Sequence, residues 1–226
     1  AEAVATTLRA QGFEASVYGV PAYSTLGKLP GDFFADPLLS TFIRYPEGEL
    51  ARMIFHELAH QVAYASGDTM FNESFATSVE RIGGTRWLNE RATPQARAEY
   101  ERFDARRRDF RVLTRKVRDQ LDALYKTARP DAQKRSDKAA LMAQMHSEYD
   151  TLKTTAWGGF AGYDAWFANA NNASLGVLAA YNEGVPAFER LFEHEGRDFD
   201  RFYAEVKRLA AEPPEARRQF LNQAGH

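Results

Sequence analysis

The chain has 226 residues, 44% of them hydrophobic and 27% charged, with a formal net charge of −2 and a pI near 6.3. That length suits one hydrophobic core and predicts a single domain over 1–226; no apolar run approaches the roughly 18 residues of a membrane span, and the balanced charge excludes a general attraction for nucleic acid, despite basic residues gathered between Arg102 and Arg118. The absence of cysteine excludes disulfides, thiolate ligands and a cysteine nucleophile, so a metal would have to be held by His and carboxylate.

Residues 1–11 read as a short helix stopped at Gly12. Phe13, Ala15 and Val17 then alternate with polar neighbours as in a half-buried strand running to Pro21, which predicts a small N-terminal sheet. The stretch 22–46 is rich in Gly, Pro and Asp and reads as loop, with a further strand around 39–44. From Glu47 to about Ser66 the residues Leu50, Ile54, Leu58, Val62 and Ala65 recur every three or four positions, the pattern of a helix that Gly67 ends. A second helix begins near Asn72 as its cap, carries Phe75, Val79 and Ile82, and stops at Gly83 and Gly84.

Between Pro94 and Ala128, Tyr100, Phe103, Phe110, Leu113, Val117, Leu121 and Leu124 follow a helical spacing, with arginine on the other faces. Pro130 breaks this long helix, and Met142, Met145, Tyr149 and Leu152 continue the spacing beyond it, so residues 94–157 are expected to form a helical hairpin arm. Shorter helices follow around 175–181, 186–193, 199–209 and 214–223. The expected fold class is mainly α (α+β): a motif-bearing helix, a small N-terminal sheet, a long helical hairpin and further C-terminal helices.

The motif is HExxH, formed by His56, Glu57 and His60. On a helix, positions i and i+4 share a face, so both imidazoles can reach one cation while Glu57 sits beside the open coordination position. Two histidines satisfying hydrogen bonds on a half-buried helix would be the plainer account, but it gives no reason for the Glu. A catalytic zinc site needs a third protein ligand. Glu73 follows His60 by 13 residues, at the start of the next helix. The chain climbs about 10 Å from His60 to Gly67 at 1.5 Å per helical residue, and an extended 68–72 spans up to about 16 Å, so the return is feasible. Glu80, two turns further along the same face, can instead ligate or hydrogen-bond a ligand histidine. Asp68 lies in the connecting turn, where Gly-Asp is ordinary turn chemistry.

His-Glu-Leu-Ala-His-Gln (56–61) followed by Asn-Glu-Ser-Phe-Ala (72–76) resembles the gluzincins, especially the zinc aminopeptidases in which HELAHQ precedes an NEGFA segment. The resemblance implies a zincin-like fold, zinc as cofactor and Glu73 as the third ligand beside His56 and His60. The gap between His60 and Glu73 is shorter than in those enzymes, so the connecting loop differs. Residues 22–88 as a whole, with the later Asn-Asn-Ala and Val-Pro-Ala-Phe segments, resemble a bacterial family of predicted aminopeptidases. Many of its members look like exported lipoproteins, which implies a periplasmic location and anchoring by an N-terminal lipid outside this chain.

In the chemistry these parts imply, zinc acidifies a water and Glu57 acts as general base toward a peptide substrate. An oxyanion donor is expected; Tyr181 and Tyr163, flanking the cluster Asn169, Asn171 and Asn172, are the candidates, with core packing the competing role. The asparagines suit either substrate backbone or loop and cap positions. His146 and His194 read as exposed helical residues. Residues 23–27 offer a strand edge to a peptide, and Asp32 and Asp36 are the nearest upstream carboxylates for a substrate ammonium, although turn roles explain both. The face bearing Arg106, Arg107, Arg108, Arg111 and Arg115 reads as solvated. A zinc metalloendopeptidase shares all this chemistry. A non-catalytic zinc-containing binding module is the alternative from another class, and an intact Glu57 argues against it.

Overall fold

The structure, a computed structural model, describes residues 1–17, 19, 40 and 42–222, apart from the side chains of residues 179 and 180. The elements are α1 (Glu2–Ala10), α2 (Glu47–Val62), α3 (Thr69–Glu90), α4 (Pro94–Tyr125), α5 (Asp131–Thr155), α6 (Asp164–Ala168), α7 (Asn172–Asn182), α8 (Val185–His194), α9 (Phe199–Ala210) and α10 (Pro214–Asn222). The described residues contain no strand, so the fold is mainly α and the expected N-terminal sheet is absent from them. Nor do they contain a helix long and apolar enough to cross a membrane.

The segment after α1 shows why the alternation misled. Phe13 and Val17 are 62% and 40% exposed rather than half-buried, and three alternating positions supply no partner strand to complete a ladder. Side chains hold the segment instead. Arg9 donates from Nε and Nη2 to the Ala15 carbonyl at 3.0 and 2.7 Å. Asn171 Nδ2 donates to Ser16 Oγ at 2.9 Å, and Glu14 accepts the Asn172 amide at 2.6 Å and pairs with Lys138. Residues 42–44 form a turn rather than a strand, with the Tyr45 amide donating to the Phe42 carbonyl. The expectations for residues 20–39, including the strand edge at 23–27 and the carboxylates of Asp32 and Asp36, fall outside the described residues.

The chain divides into two compact units, residues 1–18 with 101–177 and residues 19–100 with 178–226. In the first, α4 and α5 form an antiparallel hairpin whose cross-links shorten in sequence separation toward the turn: Trp157 Nε1 donates to Asp109 at 2.9 Å, Lys116 to Glu148 at 2.6 Å and Arg129 to Asp137 at 2.6 Å. The spacing read from the sequence is the buried stripe: Phe110, Leu113, Val117, Leu121 and Leu124 from α4 meet Met145 and Tyr149 from α5 in the core. Phe167 stacks on Tyr149 at 3.9 Å between ring centroids, and Tyr163 on Phe110 at 4.5 Å.

In the second unit α2, α8 and α10 pack on α3, and α9 packs on α8 and α10. Phe71 and Phe75 of α3 are fully buried against Phe188 of α8 and Phe202 of α9. Gly83 and Gly84 do not stop the helix; α3 runs through them to Glu90. Their function is close approach: a Cβ at Gly83 would lie 3.2 Å from the Phe55 ring, and one at Gly84 would lie 3.0 Å from Cγ of Arg52. Helix propensity, which disfavours glycine by roughly 1 kcal/mol, yields here to the packing of α2.

The α2–α3 connection positions the chemistry. α2 ends at Val62, earlier than the periodicity suggests, because Ala63 turns extended at φ −149° and ψ 139°. The buried Asn72 amide then clasps Ala65, accepting its N–H and donating to its carbonyl, both at 2.8 Å. Asn72 therefore does not cap α3. Asp68 does, accepting the Phe71 amide at 3.1 Å while Arg217 Nε holds its other oxygen at 2.7 Å.

Candidate metal centre

His56 and His60 lie one turn apart on α2 with ring centroids 5.0 Å apart. Because α3 starts under the Asn72 clasp, Glu73 faces both rings from its first turns. The nearest oxygens of Glu73 lie 3.2 Å from His56 Nε2 and 3.9 Å from His60 Nε2. One ligand atom from each of the three residues falls within 4.8 Å of the others, with His60 buried and the other two half-buried. Two imidazoles and a carboxylate brought this close form a donor set suited to a borderline cation such as zinc.

The electrostatics support the fit. Burial pulls the His56 imidazolium pKa down, but the hydrogen bonds and charges of Glu73 and Glu80 outweigh it and push the value up to about 9. Two carboxylates trained on one imidazole make a place for positive charge, which a proton fills in the metal-free chain and a cation would fill otherwise.

Glu80 stands outside the three-residue cluster and bonds His56 from behind. Its Oε2 lies 3.0 Å from His56 Nδ1, on the ring edge away from Glu73. With the Nδ1 proton directed at Glu80, Nε2 keeps its lone pair for a metal. Glu80 is held in turn by the buried Arg52, whose Nη2 donates to its Oε1, and Arg52 lies 5.8 Å over the Tyr100 ring. The sequence reading missed Arg52. The available signal was its position, four residues before His56 and so on the same helical face.

Glu57 is half-buried on α2 beside His56. Tyr181, 38% exposed near the end of α7, stacks with its ring centroid 6.2 Å from that of His56. Tyr163 packs in the aromatic core of the first unit. Asn169 bonds the Ala165 carbonyl, Asn171 caps the Ser174 amide and Asn172 bonds the Tyr125 hydroxyl, so all three serve loop and cap roles. His194 is exposed, as its place in the sequence suggests, whereas His146 is half-buried with its ring nitrogens 2.7 and 2.8 Å from the carbonyls of Met142 and Phe167. The arginine face is largely committed within the chain: Arg106 lies 4.3 Å over Phe160, Arg107 and Arg108 pair with Asp104, and Arg115 pairs with Asp119. A separate cavity of about 750 Å³ between α3 and α8, lined by Arg81, Glu189 and Phe192 among others, includes none of the cluster residues.

No curated protein and no solved structure matches the chain. A family model described as "Putative aminopeptidase" matches residues 1–221, and the chain belongs to that family.

Proposed function

We propose that the protein is a zinc-dependent aminopeptidase whose metal is held by His56, His60 and Glu73, with Glu57 as general base. The observation that carries this reading is the convergence of two imidazoles and one carboxylate within 4.8 Å; Glu57, the residue after His56 on α2, supplies the further carboxylate the reaction needs. Membership of the aminopeptidase family supports peptides as the substrate class. Zinc, when bound, supplies a Lewis acid that acidifies water and polarises a carbonyl. Glu57 takes the proton of the attacking water and passes it to the leaving amine. Glu80, braced by Arg52, keeps His56 in the tautomer that presents Nε2. The Tyr181 hydroxyl donates to the developing oxyanion, a role its ring position beside His56 supports.

The test is mass spectrometry of two matched peptides, one with a free and one with an acetylated N-terminus, incubated with the zinc-loaded chain and with its Glu57→Gln variant. Stepwise trimming of the free peptide alone, lost in the variant, is the expected result. Internal cuts in both peptides would make the protein an endopeptidase, and no cleavage of either would count for a non-catalytic zinc module.

A further inference from the structure

Tyr64, Met70 and Tyr181, at 40%, 39% and 38% exposure, are large apolar side chains open to solvent near the candidate site; Leu58 of α2 is also exposed, at 48%, two residues from each histidine. Their placement follows from the local structure. Tyr64 stands just past the early end of α2, and its ring meets that of His60 edge-on at 6.4 Å. Met70 is the second residue of α3, one turn before Glu73, and side chains three apart on a helix are neighbours. Tyr181 stacks on His56. The rings therefore follow one another as Tyr181, His56, His60 and Tyr64, with centroid separations of 6.2, 5.0 and 6.4 Å. Exposed hydrophobics scattered singly mean little, but large ones bordering a polar cluster on both imidazoles are the anatomy of a binding site.

Resting on the zinc reading above, we propose that Tyr64 and Met70 form the side-chain subsite next to the metal and that it takes an uncharged, apolar substrate residue, aliphatic or aromatic. Neither residue carries a charge, so a charged substrate side chain would be desolvated there without a partner. An apolar side chain covers the Tyr64 ring and the Met70 thioether, whose flexibility fits it to several shapes. Tyr64 is the specificity-determining residue of the pair because its ring is the one seated against a metal-binding imidazole.

The experiment measures binding, so it does not depend on turnover. Leucine, phenylalanine, aspartate and lysine hydroxamates, which chelate zinc through the same group, are titrated calorimetrically into the zinc-loaded full chain, its Glu57→Gln variant, and Tyr64→Ala and Tyr64→Phe variants. The leucine and phenylalanine compounds are expected to bind about tenfold or more tighter than the charged pair, the scale of burying one apolar side chain. Tyr64→Ala should shrink that ratio severalfold and Tyr64→Phe should keep it. Equal affinities, a preference for either charged compound, a ratio indifferent to Tyr64→Ala, or no binding of any hydroxamate overturns the proposal. A preserved apolar preference with no peptide cleavage upholds the subsite and removes the peptidase reading, which keeps the two failures distinct.

Discussion

Replacing Asn72 with alanine should destabilise the protein and disturb its candidate metal site together, because this one amide fixes the turn that delivers Glu73. It makes two hydrogen bonds of 2.8 Å, to the amide and the carbonyl of Ala65, and that residue is only 2% exposed. Water cannot readily replace them, so the variant loses about 1 kcal/mol for each bond and leaves a dry N–H and C=O in part unsatisfied, for a total of about 3 kcal/mol. Urea unfolding of the metal-free chain measures it as a lower midpoint at unchanged slope. Zinc affinity, read by competition with a chelator, should fall by roughly tenfold, as when other outer supports of a metal site are removed. Thr85→Ala is the control, removing an exposed hydroxyl bonded to the Arg81 carbonyl, and should cost under about 0.5 kcal/mol. A loss below 1 kcal/mol for Asn72→Ala at equal slope would refute the clasp as the element that sets this turn.

Other outcomes follow from the same contacts. In the metal-free chain the His56 pKa is raised from 6.5 to about 9, so its stabilising contribution is full below about pH 6.5 and is lost as pH rises through about 9; at 1.36 kcal/mol per unit this is on the order of 3 kcal/mol. Urea midpoints between pH 6 and 10 should therefore fall with rising pH, and Glu73→Gln should flatten the slope. Glu80→Gln removes the charged acceptor at His56 Nδ1 and should weaken zinc binding about 10- to 100-fold in a chelator competition. Gly184→Ala places a Cβ 2.6 Å from Ser74 Oγ and 2.7 Å from Leu221 Cδ2; both neighbours are buried, so thermal or urea unfolding should show a loss of about 2 kcal/mol.

The helices were legible wherever one apolar face repeats long enough to outweigh local punctuation. The stripe from Phe110 to Leu124 and its partners Met145 and Tyr149 is the clearest case, since a heptad-like spacing has one reading. Phe13, Ala15 and Val17 failed because three alternating residues do not specify a partner, and the side chains of Arg9 and Asn171 that bond this segment are local and distant features that alternation does not encode. Gly83 and Gly84 failed for the opposite reason: a pair of glycines reads as a stop, and only the packed position of Phe55 and Arg52 shows that the space is needed inside a helix. At the candidate metal site, the shared face of His56 and His60 follows from a spacing of four, and the side chain of Glu73 lies beside both. Arg52 was illegible because a charged residue on an amphipathic helix ordinarily points to water, whereas this one is 6% exposed and spent on Glu80. Tyr64 was illegible because the end of α2 depends on Asn72, a residue of the following helix.

The central claim, that two imidazoles and a carboxylate of this chain hold a catalytic zinc, is tested most directly by zinc-edge X-ray absorption on the purified, zinc-loaded protein with metal content measured alongside. The account predicts one zinc per chain in a four-coordinate shell of nitrogen and oxygen at about 2.0–2.1 Å, with the scattering signature of two imidazoles that drops to one in His60→Ala. A six-coordinate all-oxygen shell, or zinc well below one equivalent with His56, His60 and Glu73 intact, would contradict it.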